Sequence, residues 1–328
     1  MRSLGLSLPN RGVLFGATTV EEMYRLAEGA EDSGYFDSVW VGDGLIAKPR
    51  LEAIATMSAL AARTSRVELG VCCMATFPLR NPVLFACQWA SLDVLSAGRS
   101  LLAVCLGAPT GRGGGDFAAE LTAMNVKPRE RVPRLEEGIS LVRELWRGPT
   151  SHSSEFWEFP EIDLLPKPVQ NPCPIWIASN PDPAKLPADR YSRAILRVAR
   201  LADGWLSTVV GPEDFSHRWS EIREAADREG RDTTKMRSAV HLMVNIQDDE
   251  ETARAEAKRF LKEYYSIDVA PDVMTAWGAY GTPDQIASRI QQYRDGGLDI
   301  PIVRFASFNQ EMQMGRALDE LVPGLVKA

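Results

Sequence analysis

The groups in this chain best suited to acid–base, nucleophilic or metal chemistry are five cysteines, three histidines and scattered carboxylates. Their spacing excludes most of that chemistry. Cys72, Cys73, Cys87, Cys105 and Cys173 are odd in number, and no pair has the spacing of a zinc site. Adjacent Cys72 and Cys73 read as reduced packing residues, with a vicinal disulfide as the alternative. His152, His217 and His241 are far apart, and no HExxH, CxxC or acidic run with metal spacing occurs, so no metal site is expected. His241 lies inside an apolar strand-like run and reads as a core or pocket-wall residue. The acidic run Asp248–Glu251 opens a helical segment and reads as complementing its dipole. No GxSxG elbow is present. Neither GxGxxG nor GxxxxGK[ST] is found, which removes both phosphate fingerprints of doubly wound sheets. No lysine stands at a strand end, where a Schiff-base barrel enzyme would need one. What remains is chemistry carried by a bound cofactor.

One stretch is built for close approach. "GVCCMATFPLRNP", residues 70–82, leaves an alternating strand through two cysteines, a methionine, an alanine and a threonine. Slim or pliable side chains there suit a kinked strand end.

The elements that must hold these residues are legible in the apolar periodicity. Eight strand-like segments are expected: Leu4–Leu8, Ser38–Gly42, Val67–Val71, Leu101–Cys105, Ile175–Ala178, Gly204–Thr208, Ser238–Ile246 and Pro301–Phe305. Helical segments separate them. "TVEEMYRLAEGAEDSG" opens on a Thr cap and stops at Gly34, "NPVLFACQWASLDVLSAG" opens on Asn-Pro, and "TPDQIASRIQQYRDGG" has Thr282 as cap and Pro283 at its first position. Eightfold alternation predicts a (β/α)8 TIM barrel spanning residues 1–328 as one domain. Four interruptions are expected: a glycine-rich excursion at 107–127, a hairpin at 151–168, a proline-rich loop at 180–191 and a connection at 266–281. The first and third follow strand ends, on the face where barrel enzymes keep their sites. They read as a pocket under mobile loops.

Composition narrows the partners. Hydrophobic residues are 45% and charged residues 25%, as in an ordinary soluble protein. A net charge of −7 argues against nucleic acid and anionic membranes. No apolar run reaches the roughly 18–20 residues of a membrane span, and Met1 is followed by a strand-like run rather than a signal sequence. A cytoplasmic protein is expected, acting on a small molecule.

The ordered blocks "GYFDSVWVGDGL", "RLEAIATMSALAARTSRVELG", "PLRNPVLFACQWASLDVLSAGR", "RLEEGISLVRELWRG", "LLPKPVQNPCPIWIAS", "ARLADGW" and "GTPDQIASRI" resemble the luciferase-like monooxygenase superfamily from about residue 4 to 305. The resemblance implies a flavin-type ring at the C-terminal mouth of the barrel, either FMN or the deazaflavin coenzyme F-420. It also implies a bulge after the third strand with a non-prolyl cis peptide, expected at Cys73–Met74. By position it implies Asp43, Cys73 and Cys105 as ring or substrate-pocket residues. Cys73, Met74, Gly107, Ser179 and Asn180 would contact the cofactor. Ser192 and Arg193, taken as the start of the next helix, would receive its phosphate, with Arg304 as a second phosphate candidate. Three departures stand out: Gly44 where a histidine is common, "IASNPDPAKLPADRYSR" where a short Gly-Gly turn is common, and Leu106 where true luciferases keep an arginine. The function implied is hydride transfer from reduced F-420, or oxygen insertion with reduced FMN. The blocks look most like the deazaflavin reductase branch. The alternative is a non-catalytic flavin-binding protein. A separate reductase supplying the cofactor and a homodimer are also implied.

Overall fold

The computed structural model describes residues 3–108, 115–266 and 268–327. Residues 109–114 of the glycine-rich excursion lie outside the described residues. Among the described residues the strands are β1 (Gly5–Ser7), β2 (Ser38–Val41), β3 (Glu68–Met74), β4 (Ser100–Val104), β5 (Thr150–Ser153), β6 (Glu158–Ile162), β7 (Ile175–Ala178), β8 (Gly204–Thr208), β9 (Arg237–Ile246), β10 (Gly278–Gly281) and β11 (Ile300–Phe305). The principal helices are α1 (Val20–Ser33), α2 (Ala53–Arg63), α3 (Pro82–Leu95), α4 (Phe117–Ala123), α5 (Arg131–Arg147), α6 (Ala188–Leu201), α7 (Pro212–Arg228), α8 (Glu250–Tyr265), α9 (Pro271–Trp277) and α10 (Pro283–Asp295).

Strands β1, β2, β3, β4, β7, β8, β9 and β11 pair in that order, all parallel, and β11 closes onto β1. This is the expected (β/α)8 barrel. The cap signals hold. Thr19 and Thr282 form capping boxes on α1 and α10, and the Asn81 side chain accepts from the N–H groups of Val83 and Leu84 to start α3. The expected hairpin forms as antiparallel β5 and β6.

The segment 266–281, expected to be a connection only, contains α9 and a ninth parallel strand, β10. Strand β9 is long enough to serve two neighbours on one edge. Its first half, Arg237–His241, pairs with β8, and its second half, Met243–Ile246, pairs with β10. The wall therefore changes strand at the level of Thr208 and His241, which opens the barrel mouth there.

The interior is plugged below that level. Trp40 from β2 and Trp176 from β7 lie side by side, ring centroids 6.4 Å apart, with Leu101, Leu206, Ile300 and Ile302 around them. Each indole buries on the order of 150–250 Å2, a gross gain of about 4–6 kcal/mol. Neighbouring strands give way to them. A Cβ on Gly70 would stand 2.1 Å from the Trp40 ring, and one on Gly204 would stand 2.4 Å from the Trp176 ring.

Candidate active site

Above the tryptophan plug a cavity of about 870 Å3 opens at the C-terminal ends of the strands. That size lies within the roughly 300–1,000 Å3 of small-molecule sites.

Its back wall is the end of β3. Cys72 pairs with Ala103 and Met74 with Val104, so Cys73 is the extra residue of a bulge. A non-prolyl cis peptide is present, but between Cys72 and Cys73. The expectation of Cys73–Met74 is corrected by one residue: Met74 is back in the ladder and wholly buried, facing the outer core rather than the cavity. Cys73 and Cys105 are free thiols whose sulfurs lie 2.6 Å apart. The contact with Cys105, then burial, pushes the Cys73 thiol well up, and burial pushes Cys72 up to about 11. Both are neutral at physiological pH, so they serve as slim wall rather than as thiolate nucleophiles. Ala75, Gly107 and Ala108 continue this thin wall. Gly107 has a left-handed backbone, φ 68°, which glycine adopts without cost.

Asp43, at the end of β2, holds that wall in place. Its Oδ2 accepts from the Thr76 N–H at 2.8 Å and the Thr76 hydroxyl at 2.7 Å, and Arg80 lies 3.5 Å from Oδ1. Burial pushes its carboxyl above the usual range, opposed by Arg80 and the Thr76 bonds.

The floor is polar. His241 Nε2 lies 3.3 Å from Ser7 Oγ, which is 3.8 Å from Cys72 Sγ. Burial, then Arg304 and Arg50, pushes His241 down to about 3, so the ring is neutral. Arg304 is buried behind Phe260 and Tyr264, its guanidinium 5.2 and 4.9 Å from their ring centres. It bonds Gln310 Oε1 at 2.5 Å, and Nη2 has no partner.

The two sides of the mouth differ. On one side the loop after β2 is held by Glu120 of α4, whose Oε2 accepts from the N–H groups of Leu45, Ile46 and Ala47 at 2.7–3.0 Å. Asn10 ties the same loop to β2 through the Gly42 and Leu51 carbonyls. Lys48 and Arg50 project from this loop beside Arg11, with Tyr264, Tyr265 and Trp277 as neighbouring wall. On the other side, Asn180 Oδ1 accepts from Ser207 Oγ and from Arg218 Nη1 of α7. Val209, a β-branched residue with φ 52°, also lines the cavity, and its carbonyl accepts from Asn180 Nδ2 at 3.4 Å. Such outliers concentrate at functional sites.

Of the residues expected at the site, Asp43, Cys73, Cys105, Gly107 and Asn180 line the cavity together. Met74, Ser179 and Arg304 do not line it. Ser179 is tied into the sheet, its N–H bonded to Leu206 O and its carbonyl to Trp205 Nε1. Ser192 and Arg193 do not start a helix. Helix α6 begins at Ala188, so both lie in its second turn, exposed, and Arg193 pairs with Asp189 at 2.5 Å. Sequence reasoning missed Arg11, Lys48, Arg50, Arg218, Trp277 and the tyrosine pair. The signal available was "AKPR" in the loop that follows a strand and "YY" closing a helix.

The chain is similar to known proteins over nearly its whole length. The family model for luciferase-like monooxygenases matches residues 1–299. The F420-dependent glucose-6-phosphate dehydrogenase of Amycolatopsis mediterranei is 26% identical over 335 residues, covering 93% of this chain and 94% of that protein. The oxygenase component of the flavin-dependent trigonelline monooxygenase of Acinetobacter baylyi is 30% identical over 166 residues, 48% of this chain and 43% of its own length. A monooxygenase from Streptomyces bottropensis superposes with a TM-score of 0.79 at 23% identity, covering 98% of this chain and 99% of that one. With the model matching nearly the whole barrel, this chain belongs to the luciferase-like monooxygenase family.

Proposed function

We propose that the cavity binds a reduced flavin-type cofactor, F-420 or FMN, and that the protein is an oxidoreductase acting on a small organic substrate. The observation that carries this reading is the wall of Cys72, Cys73, Ala75, Cys105, Gly107 and Ala108, thin enough for a planar ring to lie against it. The Trp277 side chain lines the same cavity on the opposite side. When bound, the cofactor supplies a hydride, or activates oxygen, at its ring. The chain's own groups do the rest. Asp43 fixes the wall through Thr76. Neutral His241 and Ser7 offer hydrogen bonds at the floor without adding charge. Tyr264, Tyr265 and Trp277 exclude water from one side.

Support for F-420 and the reductase reaction comes from relatives of dehydrogenase type that cover over nine-tenths of the chain. Support for FMN and oxygen insertion comes from the trigonelline enzyme over about half of it. That relative is an oxygenase component, which fits a separate reductase supplying reduced cofactor. We further infer a single-domain cytoplasmic homodimer, with the exposed Leu84, Val94 and Leu95 of α3 as its contact surface. No described helix is long and apolar enough to cross a membrane.

The test is titration with FMN, FAD and F-420, followed by difference spectra of each reduced form in air and under argon. Saturable binding of one ring system, with oxidation linked to substrate, is expected. No binding of any of the three would overturn the reading.

A further inference from the structure

Charge around the cavity is mostly paired. Lys185 Nζ lies 2.7 Å from Asp182, and Arg218 lies 3.6 Å from Asp214. Glu120 is committed to three backbone N–H groups and Asp43 to Thr76. Three cations remain on the β2 side with no ion pair among the described residues: Arg11, Lys48 and Arg50. Asp272, at the exposed rim, also has none. Arg11 bonds only the carbonyls of Tyr264 and Pro49. Arg50 spends only Nε, on Lys48 O at 3.1 Å. Lys48 Nζ stands 5.8 Å over the Tyr265 ring.

This arrangement is built rather than incidental. The loop is pinned by Asn10 and Glu120, and the guanidinium packs directly on Gly42: a Cβ there would stand 1.8 Å from Arg50 Nη1. Arg50 reaches inward far enough for its charge to act on Cys72 and His241 at the cavity floor. Clustering like charges without a counter-ion is unfavourable, and burial plus the two arginines pushes Lys48 down to about 8. In a chain of net charge −7, three cations converging on one cavity wall mark a place for an anion.

We infer that Arg11, Lys48 and Arg50 form a subsite for the oxyanion of an organic substrate, a carboxylate or a phosphate, whose body lies against Tyr265 and Trp277. This rests on the reading of the cavity as the oxidoreductase site. The anion is assigned to the substrate rather than to the cofactor tail because Arg50 lines the same cavity as Cys72 and Cys73, the wall proposed for the ring. Tyr265 and Trp277 both line that wall, their ring centres 6.2 Å apart.

The test uses matched acid and neutral probes: benzoate with benzamide, phenyl phosphate with phenol, and glucose 6-phosphate with glucose. Each is titrated calorimetrically into the protein with and without FMN or F-420. At least one acid should bind about 10-fold or more tighter than its neutral partner, and the pair that discriminates identifies carboxylate or phosphate. Arg50→Gln and Lys48→Gln should each reduce that preference about 10-fold, the scale of a charged hydrogen bond. The surface variant Lys258→Gln should retain it. Equal binding of acid and neutral forms in every pair overturns the subsite, as does a preference that survives both variants. A loss of FMN or F-420 affinity as large as the loss of acid affinity also overturns it, since the charges would then serve the cofactor. Failure of any cofactor to bind sinks the oxidoreductase reading separately, while the cofactor-free titrations still judge the subsite.

Discussion

Asp43 and Thr76 join the end of β2 to the turn that follows the β3 bulge, one carboxylate oxygen accepting both the backbone N–H and the hydroxyl of Thr76. Both residues are buried. Asp43→Ala leaves the Thr76 N–H without an acceptor, a loss of about 1–3 kcal/mol. Asp43→Asn keeps one acceptor and should lose less. Urea unfolding measures both. The same variants should weaken cofactor binding in the same order, because the cysteine wall is held by this contact. An alanine variant as stable as wild type would remove the clamp from the argument.

The tryptophan plug makes a second claim about stability. Gly70→Ala places a methyl 2.1 Å from the Trp40 ring, where the core cannot yield without moving the indole. Overpacking of this kind costs about 1–3 kcal/mol or more. Gly29→Ala in α1 meets nothing within 4 Å. It should raise stability by about 0.5–1 kcal/mol through helix propensity. Thermal unfolding of the two variants side by side tests both signs at once.

The sequence is most readable where structure is local. Thr19, Asn81 and Thr282 announce helix starts because a cap needs only its own next three residues. The eight barrel strands show as short apolar or alternating runs set between helical segments. Strand β10 does not show: "GAYG" is four residues with a glycine at each end, and only pairing to the far half of β9 makes it a strand. The bulge after β3 is visible as a run of slim residues, but which peptide turns over depends on register with β4, so the placement is off by one. Helix α6 starts after Pro187 with no side-chain cap, which leaves Ser192 as the more conspicuous but wrong start. Lys48 and Arg50 look like solvated loop charges. The loop that carries them is pinned through Leu45–Ala47 by Glu120, 73–75 residues beyond those three.

Acid sensitivity should arise in part at Glu31. Its carboxylate accepts from the N–H groups of Ser65, Arg66 and Val67 and from the Ser65 hydroxyl. Burial pushes its pKa up, but these bonds outweigh it and hold the group at about 2, down from 4.5. A folded pKa below the unfolded one means the stabilisation is present above pH 4.5 and is lost as pH falls toward 2. Glu31→Gln should therefore cost about 1.5–3 kcal/mol at pH 7. It should also flatten the fall in stability across the acid range. Urea midpoints at pH 7, 4 and 3 provide the comparison, and parallel curves for variant and wild type would contradict it.

His241 titrates in the opposite chemical sense but with the same consequence for acid. Its folded pKa is pushed from the ordinary 6.5 to about 3 by burial, then by Arg304 and Arg50. The folded protein holds the neutral ring and the unfolded chain protonates readily, so this group's contribution is intact above pH 6.5 and declines as pH drops toward 3. The protein has three histidines, His152, His217 and His241. In proton NMR one set of imidazole resonances should stay fixed between pH 5 and 8, and His241→Gln should remove that set. Arg50→Gln should move its titration upward, because one of the two nearby positive charges is gone while the burial is kept. Arg50 projects into the cavity from the loop after β2, so this shift also reports whether its guanidinium reaches the floor in solution. A His241 signal that titrates near 6.5 in the wild type would mean a wetter floor than the structure has. An unchanged signal in Arg50→Gln would place the guanidinium away from the barrel axis and remove the electrostatic link between mouth and floor.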